Sequence, residues 1–158
     1  MNQVTKRFLL VDDDLINNSL TKMILKKSFG EVHINAFNIP EDGLEFMKSE
    51  PSHKTIDGRT TLFLDINMPT MSGWEYLEAF ELFDAAIKEQ YDIYILSSSV
   101  HPKDINRAKA NPHVIDFIEK PLNKAMLIKI MGCFEENSTT ELIAIEANNK
   151  NWIENYLP

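Results

Sequence analysis

Apolar residues recur along this chain in two alternating rhythms. Phe8-Leu9-Leu10-Val11, Val32-His33-Ile34-Asn35-Ala36, Leu62-Phe63-Leu64, Ile93-Tyr94-Ile95-Leu96 and Val114 to Ile118 are short runs of strand character. Between them, apolar positions return every three or four residues, the spacing of one helix face. Strands alternating with helices in this way make a parallel sheet covered on both faces. The pattern predicts strands at about 7–11, 32–36, 61–65, 92–97 and 114–118.

The intervening helices are predicted in turn. The first should turn Leu15, Ile16, Leu20, Met23 and Ile24 inward and stop at Gly30, a residue that commonly ends helices. The second should begin at Asn38 as N-cap, with Pro40 early in the helix and Glu41 as the reciprocal capping acid, and should bury Leu44, Phe46 and Met47. Polar residues with Pro51 and Gly58 mark an exposed loop before the third strand. Pro69 and Gly73 bracket a tight connection to a helix carrying Tyr76, Leu77, Phe80, Phe83 and Ile87 inward. A short helix should follow Pro102, and a last core helix should carry Leu122, Met126, Leu127, Ile130, Met131 and Phe134. Beyond Asn137, Trp152, Ile153, Tyr156 and Leu157 fall at helical spacing. The expected organisation is one domain over 1–137 and a helical extension over 138–158, with no separate output domain.

The strand ends carry the chemistry. Val11 runs into Asp12-Asp13-Asp14, Leu64 into Asp65, Leu96 into Ser97, and Ile118 leads to Lys120-Pro121. In an open parallel sheet the ligand crevice lies beyond the carboxyl ends of the strands, so these groups would gather at one edge. Asp12, Asp13 and Asp65 would suit Mg²⁺, which prefers oxygen ligands. Without a cation three such carboxylates repel one another and raise their pKa values. A carboxylate beside a bound metal can attack a phosphoryl group, while Lys120 and the Ser97 hydroxyl contact other phosphoryl oxygens.

Each residue also has a plainer reading. Asp14 fits a helix start, where carboxylates are favoured. Asp65 alone is compatible with a turn, Lys120 with a solvated surface and Ser97-Ser98-Ser99 with a loop. The arrangement of all of them on one edge is what speaks for a phosphoryl site.

Composition narrows the partners. A formal net charge of -8 argues against a nucleic-acid-coating protein, which would show a basic face. The single cysteine, Cys133, lies among apolar residues, which suits a buried filler and excludes an internal disulfide framework. No apolar stretch approaches the roughly 20 residues of a membrane span, and the N-terminus has no signal-peptide pattern. A cytoplasmic protein is expected. His33, His53, His101 and His113 form no metal motif.

Four stretches resemble the receiver domain of bacterial two-component response regulators: Leu9 to Asp14, Leu64 to Gly73 (Leu-Asp-Ile-Asn-Met-Pro-Thr-Met-Ser-Gly), Ile95 to Ser98, and Phe117 to Pro121. They stand in the family's order, and the similarity covers about 6–137. The resemblance implies a flavodoxin-like (βα)₅ doubly wound sheet with strand order 2-1-3-4-5. It implies that Asp65 accepts a phosphoryl group from a histidine kinase or histidine phosphotransfer protein. Asp12 and Asp13 would hold Mg²⁺, with Asn67 adding its backbone carbonyl. Ser97 would be the switch hydroxyl, Phe117 the switch aromatic and Lys120 the phosphoryl-binding lysine, its bond to Pro121 cis.

The output would then be altered protein binding, through the surface of the fourth helix, fifth strand and fifth helix as Ser97 moves and Phe117 turns in, or onward relay of the phosphoryl group. The protein would not be an enzyme beyond its own phosphorylation and dephosphorylation. A Phe117 that simply packs in the core remains open, as does an interaction module that is never phosphorylated. A Mg²⁺-dependent phosphohydrolase with an aspartyl nucleophile would need a general acid, commonly an Asp two residues on, and position 67 is Asn.

Overall fold

The structure, a computed structural model, describes residues 5–49 and 58–131. Its strands are β1 (Lys6–Val11), β2 (Val32–Phe37), β3 (Thr60–Leu64), β4 (Tyr91–Ser97) and β5 (Val114–Glu119). Its helices are α1 (Leu15–Phe29), α2 (Pro40–Ser49), α3 (Gly73–Glu81), α4 (Ala85–Lys88), α5 (Pro102–Ala110) and α6 (Lys124–Met131). The strands form one parallel sheet in the order β2-β1-β3-β4-β5. The chain divides into two compact units, 1–122 with the whole sheet, and 123–158, of which α6 is described. Asn123 starts α6, its side chain accepting from the Met126 N–H at 2.9 Å. Cys133, Phe134 and the extension with Trp152 and Tyr156 lie outside the described residues.

Each central strand is buried on both faces, which is why its sequence reads as an apolar run rather than an alternation. Leu9, Val11, Leu62, Leu64, Ile93 and Ile95 pack with Leu44 and Met47 of α2, Tyr76, Leu77 and Phe80 of α3, and Ala108 of α5. The alternate residues point the other way. There Phe8 stacks on Phe29 of α1 and on Phe63, and Phe63 meets Tyr94, with ring centroids 5.8–6.2 Å apart.

Three local expectations are corrected. In α1, Leu15, Ile16, Leu20 and Met23 are 50–70% exposed and Ile24 is half-buried, whereas Asn18, Thr21 and Leu25 are the buried positions. Hydrogen bonds set this phase. Asp14 caps the helix through Ile16 and Asn17, and the Asn18 amide donates to the carbonyls of Asp12 (2.9 Å) and Phe37 (3.4 Å). In α2, the first accepting carbonyl is that of Ile39, so Ile39 rather than Asn38 stands at the cap and Pro40 is the first helical residue.

The helix after Gly73 is broken in two. Leu82 and Phe83 donate to carbonyls three residues back, and extended Asp84 separates α3 from α4. The break leaves Leu82 exposed and keeps Phe83 buried against Phe80. Other signals hold: Gly30 ends α1 at φ 73°, where a side chain would be strained, and its N–H bonds Lys26.

Candidate metal and phosphoryl site

Parallel pairing brings the carboxyl ends of β1, β3, β4 and β5 to one edge. Asp12 follows β1, Asp65 follows β3, Ser97 ends β4 and Lys120 follows β5. Backbone bonds carry the register past the strand ends: Asp12 N–H to Phe37 carbonyl (3.1 Å), Asp65 N–H to Val11 carbonyl (2.9 Å) and Lys120 N–H to Ser97 carbonyl (2.8 Å). These three bonds fix the backbone from which the Asp12, Asp65 and Lys120 side chains depart. The Lys120-Pro121 bond is cis.

Asp12, Asp13 and Asp65 each place a carboxylate oxygen within 4.8 Å of the others. Asp12 and Asp65 are buried, Asp13 less so. The Lys120 ammonium lies 2.5 Å from the Asp12 carboxylate and 3.4 Å from that of Asp65. Burial pushes the Asp65 carboxyl up to about 6, and the neighbouring Asp12 charge adds to the rise. Lys120 and the Asn67 backbone N–H oppose it. Sequence reasoning placed Lys120 on a phosphoryl oxygen; here its partners are the two acids themselves.

The remaining expected residues are placed as follows. Ser97 is fully buried, and its hydroxyl donates to the Ser99 carbonyl (3.0 Å) while accepting from the Ser99 N–H (3.1 Å). Phe117 is half-buried, packed against the core and opposite Ile95. Asp14 is the α1 cap, apart from the carboxylate cluster. His101 caps α5 and His113 pairs with Glu81, so neither serves this edge.

Asn18 had escaped the sequence reading, and Gly73, expected only to close a tight connection, has a further role. The Asn18 amide holds the Asp12 carbonyl, and Gly73 packs directly on the Asp65 loop. A Cβ on Gly73 would sit 2.5 Å from the Asp65 carbonyl oxygen, and its N–H bonds the Ile66 carbonyl at 2.8 Å. A polar residue inside a helix with a spare apolar stripe was the available signal for Asn18.

Hard oxygen donors from three carboxylates, one with a raised pKa, suit a divalent cation such as Mg²⁺. A family model for the response regulator receiver domain matches residues 8–131.

The chain belongs to that family.

Among solved receivers, a two component response regulator from Cytophaga hutchinsonii is similar at 26% identity and TM-score 0.70, over 82% of this chain and 96% of that one. A response regulator receiver protein from Dyadobacter fermentans is similar at 25% identity and TM-score 0.69, over 80% and 98%. The transcriptional regulatory protein HptR of Staphylococcus aureus is 26% identical over 126 residues, 80% of this chain and 45% of that protein. The chain thus spans about half the length of the curated relatives it matches. Among the described residues, no helix is long and apolar enough to cross a membrane. The receiver fold and the two-component signalling class follow from these matches together with the sheet order.

Proposed function

We propose that this receiver is a phosphoaccepting switch in which Asp65 takes a phosphoryl group from the phosphohistidine of a kinase or phosphotransfer protein. The observation that carries the reading is the buried, basic Asp65 carboxyl beside Asp12 and Lys120. With a pKa near 6, Asp65 is ionised at neutral pH yet more basic than an ordinary carboxylate, a favourable state for a nucleophile. One of its oxygens attacks phosphorus, the P–N bond to histidine breaks, and the imidazole nitrogen leaves with the electron pair.

Asp12, Asp13, Asp65 and the Asn67 carbonyl would hold Mg²⁺, which when bound supplies charge neutralisation for the transferring phosphoryl oxygens. Lys120 is tethered close enough to exchange a carboxylate oxygen for a phosphoryl oxygen. The Ser97 hydroxyl would leave its Ser99 bonds for another phosphoryl oxygen, and Phe117 would turn inward as the loop follows. Phosphorylation thereby shifts a population between two forms with different affinity for a protein partner. Altered protein binding or onward relay is the output.

Incubating the full chain with Mg²⁺ and a small phosphodonor should add one phosphate by mass, and Asp65→Asn should abolish it. An undiminished mass shift in Asp65→Asn would refute the assignment. Asp13→Ala should weaken Mg²⁺ binding measured by calorimetry.

A further inference from the structure

Trp74 stands directly after Gly73, the residue packed on the Asp65 backbone, and its ring is tied to another helix. The Trp74 indole is buried, and its Nε1–H donates to the Asp104 carboxylate of α5 at 3.2 Å. The Arg107 guanidinium of the same helix lies over the ring, 4.7 Å from its centroid, and reaches Glu78 of α3 at 3.7 Å. Thus α5 is held from two sides. On one side only Ser98, Ser99 and Val100 separate Ser97 from His101, the α5 cap. On the other, Asp104 and Arg107 clip α5 to the residue beside the Asp65 loop.

We propose that this Trp74–Asp104–Arg107 clip is a brake on the switch: it holds α5 in its unphosphorylated position and sets how easily Ser97 can move toward Asp65. The inference rests on the phosphoaccepting reading of Asp65. A tether of three residues reaches at most about 3.3–3.6 Å per residue, so an inward step of Ser97 that breaks its turn with Ser99 is passed on to α5 and loads the clip. The bond from an indole N–H to a half-buried carboxylate is charge-assisted, the stronger kind, and the cation over the ring adds to it. By linkage, whatever stabilises the resting form weakens binding of a ligand that favours the other. Trp74, Asp104 and Arg107 are therefore positioning residues that act through α5, apart from the reacting atoms.

The test uses the full chain with Trp152→Phe, so that emission reports Trp74, titrated with beryllofluoride in Mg²⁺ as a phosphoryl mimic. Calorimetry gives the affinity. In this background Asp104→Ala and Arg107→Gln should each bind the mimic roughly three- to tenfold more tightly. Asp104→Asn keeps an acceptor oxygen but loses the charge, and should fall between the parent and Asp104→Ala. Saturating mimic should shift Trp74 emission in the parent and shift it less in Asp104→Ala. Equal affinity in all four proteins, or bound mimic with unchanged emission, would overturn the brake and leave Asp65 as acceptor. Absence of binding heat in the parent would overturn the phosphoryl reading and the brake with it.

Discussion

At the scale of single residues, Asp65 is where folding and chemistry oppose each other. Its carboxyl is raised from 3.8 to about 6, chiefly by burial. A group more readily protonated in the folded chain than in the unfolded one favours the fold at low pH, and that contribution is lost as pH rises from about 4 to about 6. Asp65→Asn removes the charge and keeps the shape. In metal-free buffer above pH 7 it should therefore melt several degrees higher than the parent, with the gain fading toward pH 4. Equal melting at every pH would mean that the buried charge is fully compensated. The acids, Ser97 and Lys120 were legible in sequence because each sits at the end of an apolar run. Their pairing was not, since Lys120 and Asp12 are 108 positions apart and nothing local records which charge will meet which.

At the scale of elements, periodicity gave the existence of helices more reliably than their orientation. The α1 sequence carries an apolar stripe and a mostly polar one, and the hydrogen bonds that Asp14 accepts and Asn18 donates choose the second to face the sheet. Leu20→Gln on the exposed stripe should change stability by about 0.5 kcal/mol or less, and Leu25→Ala on the buried side should cost about 2–5 kcal/mol by urea unfolding. The reverse order would show that α1 is rotated. The α3–α4 break was equally hidden, because Phe83 and Ile87 keep helical spacing while the chain tightens through Leu82. Gly73 opens α3 so close to Asp65 that a methyl group has no room. Gly73→Ala should cost about 2 kcal/mol or more and also slow phosphorylation, measured by denaturation and by rate of mass gain. A stable Gly73→Ala with an unaltered rate would show that the loop yields freely.

At the scale of the whole sheet, burial declines from centre to edge. The last four residues of both β1 and β3 are fully buried, whereas β2 has no buried residue and β5 only Ile118. Amide exchange should accordingly be slowest in β1 and β3 and faster in β2 and β5, since edge bonds open without breaking the core. Faster exchange in β3 than in β5 would contradict this order. The strand order itself was readable, through the resemblance carried by the strand-end motifs, because a parallel sheet puts its chemistry in the segments that the chain's own punctuation marks. Lys120 arrives on the last strand, yet it neutralises acids that belong to the first and third. During synthesis, a chain that has emerged only as far as β4 would present those acids without their ammonium. The acidic edge thus acquires this internal counter-ion only in a chain that runs through β5, so its charge balance depends on the last strand being in place.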